Sequence, residues 1–185
     1  MDAVNEKTRL YFVGGIHGVG KSYFCEQMVR ENGINSYSAS KLIADLKHEH
    51  FKTNKFIKDI GDNQNYLLKA VKTITDKEYL LDGHFCLLNS SGEVERVPID
   101  IFKELPIAAI IVIYDDVSKV VKRINLRDGI MYSETTFEFF QNMELSYAKE
   151  IALLLNVPFA CISCESDVMD KPEQIIKWLR NKNFF

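Results

Sequence analysis

The chain has 185 residues, 46% of them hydrophobic and 26% charged, and carries a net charge of −3. That balance suits one globular domain with a substantial core and excludes long disordered tracts, and it supplies no basic field to draw in nucleic acid or a membrane surface. The N-terminal "MDAVNEKTRL" lacks an apolar signal core and no apolar run approaches the roughly 20 residues of a membrane span, so a cytoplasmic protein is expected.

In chain order, the apolar run "RLYFV" reads as a buried strand and leads into "GGIHGVGKSYF", residues 14–24. Gly15, Gly20, Lys21 and Ser22 fit the spacing G-x-x-x-x-G-K-[ST], the Walker A loop. Glycines there let successive backbone N–H groups face one centre, and the helix that follows points its positive dipole end at the same spot. A triphosphate fits such a cradle. Lys21 would reach the β and γ phosphates of ATP, and Ser22 would offer its hydroxyl to Mg²⁺. Gly15, His17, Gly18, Val19, Gly20, Lys21, Ser22 and Tyr23 are therefore the expected nucleotide-binding residues. The helix "KSYFCEQMVREN" places Phe24, Met28 and Val29 on one face and stops at Gly33.

Beyond it, "INSYSAS" reads as a short strand and turn, with Ser38 or Ser40 able to cap a helix "KLIADLKHE". A lysine-rich polar stretch, "HFKTNKFIKDIGDNQ", precedes a helix around "NYLLKAVKTITD". "EYLLDGH" reads as a buried strand whose C-terminal end carries Asp82, where ligands collect in an open parallel sheet. A carboxylate there can enter the Mg²⁺ shell or take the proton of an attacking hydroxyl; an ordinary Asp-Gly turn is the alternative. "NSSGEVERVP" reads as a turn-rich loop, "IDIFKEL" as a short helix closed by Pro106, and "IAAIIVIYD" as the most continuous apolar strand. In the "YDD" that follows, Asp116 is expected to cap the helix "VSKVVKRINLRD".

Arg123 and Arg127 lie one turn apart on that helix and run into the polar "DGIMYSETT", which reads as a short lid over about residues 123–135. Two guanidinium groups at that spacing can clamp a phosphoryl group in transfer; a solvated helix face with an Arg127–Asp128 pair is the alternative. A long helix "TTFEFFQNMELSYAKEIALLL", a last strand "PFACIS" and an amphipathic helix "MDKPEQIIKWLRN" complete the chain. The cysteines of "CISC" are expected to be structural, since no second cysteine pair completes a zinc site and the pair does not open a helix as redox pairs do. Five strands alternating with helices predict a single α/β domain over 1–185, a three-layer P-loop fold whose parallel sheet is covered on both faces.

A phosphate loop alone does not name a reaction. A GTPase would need Asn-Lys-x-Asp after a strand, and "NKFI" has Ile57 in place of the aspartate. The short kinases fit the length. The order "GGIHGVGKS", "LLDGH", "IIVIYD" and "VKRINLRD" resembles the nucleoside monophosphate kinase superfamily, in particular the short-lid archaeal-type adenylate kinases and related bacterial AAA-type ATP-binding proteins. The resemblance implies an acceptor region inserted at about residues 36–76, with Asp82 and His84 near the acceptor, although His84 can equally be a satisfied, partly buried histidine. Two departures stand out. No arginine lies between Arg30 and Arg96 to hold a monophosphate, leaving Lys41 or Lys58 as point charges, and the lid has only Arg123 and Arg127.

The expected function is transfer of the ATP γ-phosphoryl to a small acceptor, a nucleoside monophosphate first, with Lys21, Asp82, Arg123 and Arg127 catalytic. Ser22 and Asp82 would hold Mg²⁺, and Ser40, Lys41 and His84 would face the acceptor. A kinase for a hydroxyl on a nucleoside, sugar or RNA end is the alternative. A nucleotide-sensing ATPase that docks a partner on "TTFEFFQNMELSY" is another.

Overall fold

A computed structural model describes residues 8–47 and 60–180. Five parallel strands form the central sheet in the order β2-β3-β1-β6-β7: β1 Arg9–Gly14, β2 Asn35–Ser38, β3 Glu78–Asp82, β6 Ile107–Tyr114 and β7 Phe159–Ser163. The central strands are buried through their middles, Leu10 to Val13 in β1, Tyr79 to Leu81 in β3 and Ala109 to Ile113 in β6, so both faces of the sheet are covered by helices. Edge strands β2 and β7 are more exposed and less apolar.

The helices are α1 Lys21–Asn32, α2 Ala39–Lys47, α3 Ile60–Val71, α4 Ile99–Glu104, α5 Val117–Asp128, α6 Glu134–Leu155 and α7 Pro172–Arg180, the last preceded by a 3₁₀ turn at Asp167–Asp170. α1 packs on α7, α2 on α3, and α5 on α6. Among the described residues no helix is long and apolar enough to cross a membrane.

Helix ends follow local chemistry. Asp116 caps α5 by accepting from the Ser118 N–H at 2.8 Å, as expected. Ser133 caps α6 through the Thr136 N–H, and Tyr132 packs on Phe137 with ring centroids 5.3 Å apart, a hydrophobic staple. The aromatic stripe of α6 faces the core: Phe137, Phe140 and Tyr147 are buried, and only Phe139 among its rings is open to solvent. Three of its four rings thus serve the core.

One element departs from the sequence reading. The stretch expected to be a loop holds an antiparallel hairpin, β4 Cys86–Leu88 with β5 Val94–Arg96. Its turn is built by Asn89, whose Oδ1 accepts from the N–H groups of Ser91 and Glu93. Three-residue strands are too short to show a period of two. The long helix α6 secures the hairpin's far end, where the Tyr147 hydroxyl donates to the Val97 carbonyl at 2.8 Å. The helix expected over about residues 65–76 starts earlier, at Ile60, and ends at Val71. Lys58 and most of the lysine-rich stretch lie outside the described residues.

Candidate active site

The first strand ends at Gly14, and the chain turns through residues that need unusual backbone angles. Gly18 has φ +76°, and a Cβ there would lie 2.3 Å from Ile124 Cγ2; Gly20 has φ +107° and opens α1. Only glycine satisfies both positions without displacing the core. Ile16 and Val19, buried at 0% exposure, pin the loop from beneath, and the Val19 N–H bonds the Ile16 carbonyl. Val19 thus serves the cradle as an anchor, while His17, Gly18, Gly20, Lys21, Ser22 and Tyr23 line a cavity of about 460 Å³. Lys21 is 7% exposed and donates through Nζ to the carbonyls of Gly15 at 2.7 Å and Ile16 at 3.1 Å. Tyr23 donates to Asp170 at 2.8 Å, an acceptor that raises the phenol's pKa.

Across the cavity stands Asp82, the last residue of β3, paired in register with Val13 of β1 and Ser38 of β2. Its Oδ1 lies 4.0 Å from Lys21 Nζ, and its Oδ2 accepts from Ser22 Oγ at 3.5 Å. The strand order therefore brings Asp82 to the neighbouring Lys21 and Ser22 across 60 residues of sequence. Ser22 and Asp82 present hard oxygen donors to one point, the donor set Mg²⁺ takes when nucleotide phosphates complete its shell. Among the described residues no cluster of three or more His, Cys, Asp or Glu could hold a metal without such help.

The cavity continues past Asp82 to Gly83, His84, Ser38 and Ser40, with an apolar wall from α3, α4 and the hairpin. His84 packs against His17 of the phosphate loop, ring centroids 4.2 Å apart and planes tilted by 55°. Ser40 lies within hydrogen-bond reach of Ser38, 3.0 Å between hydroxyl oxygens. Lys41 is exposed on α2 and is not part of the lining.

The two arginines separate. Arg127 lines the cavity, holding Asp128 by two bonds of 2.6 and 3.0 Å that raise its pKa. Arg123 does not line it. Its guanidinium donates to Asp115 at 2.6 Å, and Asp115 is buried at the end of β6, so Arg123 neutralises a core carboxylate in this arrangement.

Three site residues escape the motif-based reading. Glu144 of α6 is fully buried and accepts backbone N–H groups from Gly15 at 2.9 Å, Phe85 at 3.0 Å and Cys86 at 2.6 Å. One carboxylate thus ties the phosphate loop to the segment that follows Asp82. Burial pushes its pKa up, while the N–H donors and the Lys21 charge favour the ionised form. The other two, Asn63 and Gln64 of α3, are 7% and 5% exposed and line the same cavity. All three occupy positions where the helical stripe calls for an apolar side chain, and that mismatch is the signal the sequence carried.

Similar proteins agree with this architecture. A shikimate kinase from Acinetobacter baumannii in complex with shikimate superposes with TM-score 0.64 at 14% identity, over 95% of this chain and 96% of that one. A sugar kinase from Janibacter sp. HTCC2649 gives 0.54 at 15% identity over 93% and 94%. A gluconokinase from Sinorhizobium meliloti 1021 gives 0.50 at 11% identity over 95% and 99%. No curated protein sequence matches the chain. The sequence profile of the AAA domain matches residues 14–138, from the phosphate loop through Asp82 to the start of α6, and the chain belongs to that family, with the fold of the small P-loop kinases.

Proposed function

We propose that this protein is an ATP-dependent kinase that transfers the γ-phosphoryl group to a hydroxyl of a small acceptor held in the cavity beyond Asp82. The observation that carries the reading is the convergence of Lys21, Ser22 and Asp82 at the mouth of a pocket with room for a second substrate. Lys21 and the loop N–H groups would hold the triphosphate. Ser22 and Asp82 would hold Mg²⁺, which when bound supplies neutralising charge to the triphosphate. In the transfer the acceptor oxygen bonds to the γ-phosphorus, the bond to the β–γ bridging oxygen breaks and ADP leaves. If Asp82 stands outside the Mg²⁺ shell, it would instead take the hydroxyl proton. Arg127, on the cavity wall, would stabilise the charge in flight.

A nucleoside monophosphate, the acceptor first expected, is the second reading. The position of Arg127 favours it, since a guanidinium released from Asp128 would match a phosphate.

The test is ADP release from MgATP with and without candidate acceptors. Acceptor-dependent turnover that is lost in Lys21→Ala, together with its ATP binding, is the expected result. Slow release that no acceptor accelerates would overturn the kinase reading in favour of an ATPase or switch.

A further inference from the structure

The acceptor half of the cavity has an unusual lining. Helix α3 presents Asn63, Gln64, Leu67, Leu68 and Val71 at the spacing of a buried stripe, yet two of those positions carry carboxamides. Asn63 and Gln64 are more than nine-tenths buried, and both line the cavity. Each brings a hydrogen-bonding carboxamide to a position where the stripe calls for an apolar side chain, and a ligand in the cavity can pair with it. Around them the wall is apolar: Leu67, Leu87, Val97, Ile101, Phe102 and Leu105.

From this we infer that Asn63 and Gln64 read the hydrogen-bonding edge of an uncharged, flat-bodied acceptor alcohol of the nucleoside class. The inference rests on the kinase reading above and names its acceptor.

Three physical features select that class. A carboxamide offers a donor and an acceptor side by side but no charge, so it matches a nucleobase edge and gives an anion no counter-charge. The apolar wall suits the faces of a planar ring; a polyol would leave hydroxyls unpaired against it. A monophosphate or a sugar acid would bring negative charge into a space where the described lining offers Lys21, committed to the donor phosphates, and Arg127, already bonded twice to Asp128. The hydroxyl to be phosphorylated would then face Asp82 at the junction of the two halves.

Adenosine, guanosine, cytidine and uridine, their 5′-monophosphates, gluconate and glycerol are each titrated by calorimetry into the full chain saturated with MgADP, and then assayed for ADP release from MgATP. At least one nucleoside should bind and be phosphorylated, in preference to its monophosphate and to gluconate. Asn63→Leu and Gln64→Met should raise that nucleoside's Kd and KM about tenfold while leaving the Kd for ATP unchanged. Because both substitutions restore the apolar stripe, neither should lower the Tm. Tighter binding and faster turnover of a monophosphate, gluconate or glycerol would overturn the inference and leave the kinase intact. So would a lowered Tm with nucleoside affinity unchanged, or binding by none of the compounds. Nucleoside binding without any turnover would instead sustain the subsite and sink the kinase.

Discussion

Glu144 illustrates what a single residue does here. Both its oxygens accept backbone N–H groups, from Gly15, Phe85 and Cys86, deep inside the molecule. Glu144→Gln turns an NH₂ group toward those donors and should lower the free energy of unfolding by about 1–3 kcal/mol, read by urea denaturation. It should also reduce kcat, because the loop and the segment after Asp82 lose their common tether. The two arginines should part in the same kind of experiment. Arg127→Ala, removing a cavity-lining guanidinium, should lower kcat with little change in ATP affinity. Arg123→Ala leaves the buried Asp115 carboxylate without its cation, so it should lower the Tm while kcat is retained. A large fall in kcat at unchanged Tm for Arg123→Ala would return it to the catalytic set.

At the scale of elements, caps and stripes decide what can be read in advance. The Asp116 cap of α5 is visible in sequence, since an aspartate follows an apolar strand and precedes a helical pattern. Its hydrogen bonds to Ser118 hold its pKa below the ordinary value of 3.8. The cap therefore contributes stability above the unfolded aspartate's pKa and loses it as pH falls through the lowered folded value. Asp116→Asn, which can still cap, should flatten the acid limb of stability against pH below about 4 and leave neutral stability nearly unchanged. A thermal-unfolding series from pH 2 to 6 checks it. The hairpin and the three polar residues on buried stripes were harder to read. Glu144 falls in register with Phe137, Phe140, Tyr147 and Ile151, and Asn63 and Gln64 with Leu67 and Val71. A motif search passes over such positions, because their meaning lies in burial, and burial depends on which strands α3 and α6 cover.

For the molecule as a whole, alternation of strands and helices was enough to predict the layered parallel sheet, because a fully apolar strand such as Ile107–Tyr114 has few other places to go. The site was legible to the extent that the sheet gathers strand ends on one edge: Lys21 and Asp82 could be placed together from the loop and one carboxylate-ended strand. The pairing of Arg123 with Asp115 was not, since it depends on how far α5 lies from the cavity. The same edge makes ligand binding a property of the entire fold. α1 opens at the phosphate loop and packs against α7, which carries the chain's single tryptophan, Trp178, partly buried against the core. If ATP binds only the folded chain, MgATP at about one hundred times its Kd should add about 2.7 kcal/mol to the free energy of unfolding. Trp178 fluorescence and far-ultraviolet circular dichroism should shift together by that amount, because the sheet and its helices share one core and unfold as one unit. Lys21→Ala should show no such shift at the same concentration. Separate transitions for the two probes, with only the dichroism moved by ATP, would mean that α7 unfolds independently of the nucleotide site.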